Sequence, residues 1–171
     1  MSLADELRKL HKTLQLEKIR KFKRRVSFGD LISERDEIAA AYGFGKGTTC
    51  YDNVLVLGDV AVGRDTWIGP NVILDGSGGL SIGDNCSISA GVQIYSHDTV
   101  EWATSMGKTP VEHAPTAIGS GVYIGPNSVI QMGVGIGDRA TIGAMSFVNS
   151  NIPEGARAWG APARVVKEPA G

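Results

Sequence analysis

Along the middle of the chain an aliphatic or similarly small apolar side chain returns at every sixth position. The run reads Cys50, Val56, Val62, Ile68 and Leu74, then Ile82, Ile88 and Ile94, then Ile118, Ile124, Ile130, Ile136, Ile142 and Val148, fourteen rungs in all. The residue after the rung is glycine seven times, at Gly63, Gly69, Gly83, Gly119, Gly125, Gly137 and Gly143, where the chain's glycine content would place about one or two by chance. Four positions after a rung stands a second small or apolar residue, as at Val54, Thr66, Cys86, Val122, Ser146 and Ile152. A helix repeats its apolar face every three to four residues and a strand every two. A period of six fits a short strand that ends in a turn once per hexad, with glycine, Asn and Asp giving the turn its backbone freedom. One such unit cannot bury its own apolar face, so the hexads must stack into a coil around a continuous core. The expected fold class is mainly β: a solenoid over residues 50–152, preceded by a helical cap at 1–49 and followed by a tail at 153–171.

The flanks and interruptions have their own patterns. Leu3, Leu7, Leu10 and Leu14 mark an amphipathic helix whose apolar stripe should dock on something. Lys18 to Arg25 holds six basic residues in eight. Ser33 with Asp36 reads as a capping box, the next helix runs through Ile38 to Tyr42, and Gly43 stops it. These helices are expected to close the open end of the coil, where an exposed rung would offer unpaired backbone. Between Leu74 and Ile82 the step is eight, so two residues of Asp75-Gly76-Ser77-Gly78-Gly79 should bulge out. From Ser96 to Thr116 the pattern vanishes into an inserted loop, and excursions of that length from a compact scaffold are usually functional. Pro153 is expected to end the rungs, after which the tail turns back or frays.

Charge refines this picture only at one end. Residues 1–25 carry a net +6 and the rest −7, so the basic arm is a separate element. A solvated helix face is the preferred reading of that arm. Weak contact with an anionic membrane surface is a second reading, and nucleic acid a third that is not favoured. Two cysteines are too few for a disulfide framework, and Cys86 falls at an inward position. No stretch approaches the length of a membrane span and no signal-peptide core stands near Met1, so a cytoplasmic location is expected.

Hexads of this type, broken by a loop that opens on a histidine and closed by Gly160-Ala161-Pro162-Ala163-Arg164, resemble the hexapeptide-repeat acyltransferases. The resemblance also rests on Tyr95-Ser96-His97-Asp98, Val122-Tyr123-Ile124-Gly125-Pro126-Asn127 and Ile142-Gly143-Ala144. Within the family the chain is similar to the sugar acetyltransferases of the galactoside, maltose and virginiamycin group and their polysaccharide-biosynthesis relatives. The resemblance implies a left-handed parallel β-helix with three hexads per coil, assembled as a homotrimer with acetyl-CoA between subunits and no metal. Three hexads per coil would set Ile94 between Leu74 and Ile130, and Ile124 between Ile88 and Ile142. Gln131 and Gly133 then come beside Tyr95 and His97, and Ala144 over Pro126.

Histidine is the usual general base near neutral pH, and a sugar hydroxyl is a poor nucleophile until its proton is taken. His97, at the root of the loop, is the candidate base; His113 and His11 are read as surface residues. By resemblance, Asn71 and Asp75 belong to the acceptor pocket, and either is also an ordinary turn residue. Tyr95 and Trp102 are candidates to stack on a sugar or to pack the loop. Gly69 stands where galactoside-specific members carry an acceptor-binding Asn. The cofactor candidates are Gly125, Gly143 and Ala144 along the pantetheine arm, Asn149 and Ser150 in the next turn, Tyr123 and Trp159 against the arm or adenine, and Arg164 with Lys167 on a CoA phosphate. Ser150 takes the place of a Lys found in many relatives. The leading expectation is acetyl-CoA-dependent O-acetylation of a sugar or nucleotide sugar, in surface polysaccharide biosynthesis. The alternatives are N-acetylation of a nucleotide-linked amino sugar, a non-catalytic scaffold, and a γ-carbonic-anhydrase-like metalloenzyme. The last would need three converging histidines.

Overall fold

In the computed structural model, which describes residues 2–167, the rungs stack in three columns of parallel strands. The first face runs Cys50, Ile68, Ile88, Ile124, Ile142 and Ala158. The second runs Val56, Leu74, Ile94, Ile130 and Val148. The third runs Val62, Ile82, Ile118, Ile136 and Ile152. Three hexads therefore make one coil, and Ile94 and Ile124 lie between the neighbours that the resemblance implies. Apart from half-buried Val56, every rung is buried, and together they form one continuous core. Burying aliphatic side chains at about 25 cal/mol per Å² is the main force holding the coils together. Polar residues inside the prism add ties between layers: the hydroxyls of Thr48, Thr66 and Ser128 donate to the carbonyls of Gly63, Gly83 and Gly143.

The glycines after the rungs have a different reason from the one expected. None has a positive φ; the left-handed position lies three residues before the rung, at Asp65, Asn71, Asn85, Gly91, Gly121, Asn127, Gly133, Arg139 and Met145. The post-rung glycines are instead points of close approach. A Cβ on Gly69 would come within 2.7 Å of the Ala90 nitrogen, and one on Gly125 within 2.5 Å of the Ala144 nitrogen. Met145, at φ 56° and three-quarters exposed, has the turn's conformation without its chemistry. Replacing it with glycine should stabilise the fold by about 1 kcal/mol, read as a higher urea midpoint at unchanged slope.

The step of eight is the expected two-residue bulge, carried within one continuous strand: Ile73–Ile82 passes from the second face to the third beside Leu55–Val62, and Gly58 and Val60, two apart, pair with Gly76 and Leu80, four apart. Three other expectations change. Pro153 does not end the coil. The step from Val148 to the rung Ile152 is four, and Ala158, six further on, pairs with Ile142. The strand Arg157–Gly160 is then met by an antiparallel return, Ala163–Lys167. At the other end, helices α1 (Leu3–Phe22), α2 (Gly29–Ile32) and α3 (Arg35–Ala41) precede the coil. The α3 capping box is Glu34 with Glu37 rather than Ser33 with Asp36, because Ser33 closes α2. Ala39 of α3 and Phe44 are buried in the core, so the end of the coil is closed. α1 buries no residue, and Leu3, Leu7 and Leu10 stay exposed. Among the described residues no helix is long and apolar enough to cross a membrane.

Candidate active site

The inserted loop leaves the second face after Tyr95 and returns to the third at Thr116. Its base is stapled: Ala114 N donates to Ser96 O at 3.0 Å, Thr116 Oγ1 to Tyr95 O at 2.7 Å, and Gly78 N to Ser96 Oγ at 2.8 Å. It is not structureless. His97–Asp98 pairs antiparallel with Glu112–His113, and a short helix α4 (Val100–Thr104) caps the far side.

His97 is thereby fixed over Asp75, one coil layer below. Its Nδ1 lies 2.5 Å from Asp75 Oδ2, with 29% of the imidazole exposed and the carboxylate wholly buried. The other contacts hold the carboxylate rather than the ring: Oδ2 accepts from Ser96 N at 3.0 Å, and Oδ1 from Ser77 N at 3.0 Å and Ser77 Oγ at 2.5 Å. Burial alone pushes the Asp75 carboxyl up, but the hydrogen bonds from Ser77, Ser96 and His97 outweigh it and bring the pKa down to about 2. A carboxylate held ionised on Nδ1 keeps the proton there and leaves Nε2 as the lone-pair nitrogen. This arrangement can accept a proton at one atom and stabilise the imidazolium that results.

Tyr95 stands edge-on to His97 at 6.3 Å between ring centroids, its hydroxyl donating to Gln93 Oε1 at 2.7 Å. His113, read from sequence as a surface residue, faces His97 at 6.2 Å, and its Nδ1 lies 3.2 Å from Val111 O. Fifteen residues of loop separate the two histidines in sequence, and no periodicity links them. Gly133 comes to the base of the loop, but its N–H is taken by Thr116 Oγ1, so it is not free to hold an oxyanion. Asn149 and Ser150 are exposed on the same corner of the prism, above His97.

The remaining candidates gather elsewhere. Asn71 belongs to the opposite edge of the second face, where it exchanges hydrogen bonds with Asn53. Both oxygens of the buried Asp75 are engaged within the chain, where the side chain holds His97. Trp102 is half exposed on α4, against the turn at Gly107. Gly125, Gly143 and Ala144 line the corner between the first and second faces, and Tyr123 projects from the first face. A Cβ on Gly143 would meet Trp159 at 2.7 Å, so the coil itself demands glycine there. Trp159 and Arg164 are register partners at the end of the first face. The side chain of Lys167 lies outside the described residues. Among those residues, no three His, Cys, Asp or Glu side chains converge as a metal would need.

Two family models match this coil: the hexapeptide repeat of succinyl-transferase over residues 59–96 and the bacterial transferase hexapeptide over residues 115–150. The chain carries bacterial transferase hexapeptide repeats. Among curated relatives, the galactoside O-acetyltransferase of Escherichia coli (strain K12) is 32% identical over 120 residues, 64% of this chain and 54% of its own length. The chain spans about half the length of the curated relatives it matches. Among solved structures, a hexapeptide-repeat-containing acetyltransferase from Vibrio cholerae O1 biovar eltor, complexed with acetyl-coenzyme A, aligns over 98% of this chain and 89% of its own. Its TM-score is 0.73 at 25% identity. AntD, an N-acyltransferase from Bacillus cereus in complex with dTDP and 3-hydroxybutyryl-CoA, aligns over 74% of this chain and 72% of its own with a TM-score of 0.67. At 23% identity that likeness speaks for the fold alone.

Proposed function

We propose that this hexapeptide-repeat protein transfers an acetyl group from acetyl-CoA to a sugar hydroxyl, in surface polysaccharide biosynthesis. The observation that carries the reading is the His97–Asp75 pair, which leaves Nε2 free at the mouth of a stapled loop. Nε2 takes the acceptor proton as the hydroxyl oxygen bonds to the thioester carbonyl carbon. The tetrahedral intermediate collapses by breaking the carbon–sulfur bond, and the imidazolium returns the proton to the CoA thiolate. The acetylated sugar and CoA thiol leave, and His97 is again neutral. A positioned base of this kind contributes about 10²–10⁴-fold to rate.

The division of the candidates between two corners supports a threefold assembly. Between those corners, the outward side chains of the second face form a largely apolar ladder of Leu55, Ile73, Val129 and Phe147, interrupted by Gln93. An apolar face of this kind calls for cover. A trimer that buries it would set the His97 corner of one copy beside the Gly143 and Ala144 corner of the next, and acetyl-CoA would lie in the seam. Arg164, an exposed guanidinium at the far end of the seam, then suits a CoA phosphate.

Thiol release from acetyl-CoA against a panel of sugars and nucleotide sugars tests the reading. Arg164→Ala should raise the KM for acetyl-CoA about tenfold with little change in kcat. Absence of CoA binding by the native protein overturns the proposal. N-acetylation of a nucleotide-linked amino sugar is the rival, and it is favoured if turnover requires an amine in the panel.

A further inference from the structure

The loop hairpin sets a second imidazole beside the first. His97 and His113 are register partners across its two antiparallel strands, so their side chains leave the same face of the ribbon. The next pair, Asp98 and Glu112, belongs to the other face. The two rings lie 6.2 Å apart between centroids and 34° from parallel, and among the described residues no hydrogen bond joins them.

His113 is held there from two directions. Ala114 N, next to it in the chain, donates to Ser96 O at 3.0 Å. Gly78 lies flush against the hairpin: a Cβ on it would come within 3.2 Å of His113 Cβ and 2.3 Å of Ser96 O. The bulge in Ile73–Ile82 therefore supports the strand that carries His113.

Both rings are committed at the same atom. His97 Nδ1 meets Asp75 Oδ2, and His113 Nδ1 lies 3.2 Å from the Val111 carbonyl oxygen. A carbonyl only accepts, so His113 Nδ1 carries the proton and the Nε2 of its neutral ring keeps a lone pair. Among the described residues neither Nε2 has a partner. Two lone-pair nitrogens on one face call for two donors, and hydrogen bonds of about 2.8 Å from two neighbouring hydroxyls fit a gap of this size. Tyr95 does not supply one, because its hydroxyl is engaged by Gln93 Oε1.

We infer that His113 is a specificity-determining residue: its Nε2 accepts from the hydroxyl next to the one that His97 deprotonates, so the acceptor carries two adjacent free hydroxyls. The inference rests on the acyl-transfer reading of His97 and adds a demand on the acceptor that the reading does not make. No proton changes hands at His113. The neighbouring hydroxyl is held throughout, which fixes the reacting oxygen against His97 Nε2.

Methyl glycosides of glucose, galactose and mannose are compared with their monodeoxy analogues as acceptors for thiol release from acetyl-CoA. The native protein should favour the best parent glycoside about tenfold in kcat/KM over the analogue lacking the neighbouring hydroxyl. His113→Phe keeps a ring without the accepting nitrogen, and the ratio should fall below about threefold. His113→Gln restores an accepting oxygen, and its ratio should lie between the two. A native ratio near one overturns the inference and leaves the proposed function standing. So does a ratio that His113→Phe leaves unchanged because parent and analogue fall together, which marks damage to the loop. A native protein that acetylates no hydroxyl in the series fails the proposed function, and the inference falls with it.

Discussion

Changing His97 to alanine is expected to lower kcat for a sugar hydroxyl by about 10³-fold, within the range a positioned general base supplies. The loss should fall on turnover. His97 is about 29% exposed and projects from a loop whose base is tied by Ser96, Ala114 and Thr116, so the coil stays closed without it. Sedimentation and CoA titration should therefore match the native protein. Turnover kept within threefold on a hydroxyl acceptor would remove His97 from the mechanism. A small loss on an amine acceptor would instead move the reading toward N-acetylation, because an amine needs less help from a base.

Asp75→Asn should lower kcat by about 10²-fold or more through the ring it holds. An amide can present its N–H to Nδ1, which moves the ring proton to Nε2 and removes the lone pair that the reaction uses. A stability readout separates this positioning role from general damage. The native carboxyl titrates near pH 2, against about 3.9 in an unfolded chain. A carboxyl lowered on folding stabilises the native state fully above about pH 4, and that contribution is lost as the pH falls through about 2. Native protein should thus lose up to about 2–3 kcal/mol of unfolding free energy between pH 5 and pH 2 at this site. The Asn variant should lack that portion of the acid limb. If it keeps both the acid limb and full turnover, Asp75 neither carries the charge nor sets the tautomer.

What could be read in the chain, and what could not, follows from the range of each interaction. The period of six determined the rungs and their stacking, because each hexad repeats one local requirement and stacking only adds copies of it; the grouping into three columns, and with it the register of Ile94 and Ile124, came from the family resemblance. His97 was legible for a related reason: the repeat stops there. For Asp75 the chain offered only the acceptor pocket that the resemblance implies. Its hold on His97 depends on the layer above, where a residue 22 positions later comes to rest on it. The post-rung glycines were visible, but their reason was not, since the backbone they avoid belongs to the next coil. Ala158 escaped notice because the rung before it shifts by two and alanine is too small to stand out.

The facing of His113 on His97 and the stacking of Arg35 on Tyr51 also lay beyond the sequence. Each joins segments through an irregular loop or arm whose path no periodic pattern encodes. The chain by itself therefore determined a stacked coil with a histidine at its one large interruption. Folding alone decided which carboxylate holds that histidine and which faces remain open to ligands, because those depend on contacts between layers and across the inserted segment rather than on neighbours within one hexad.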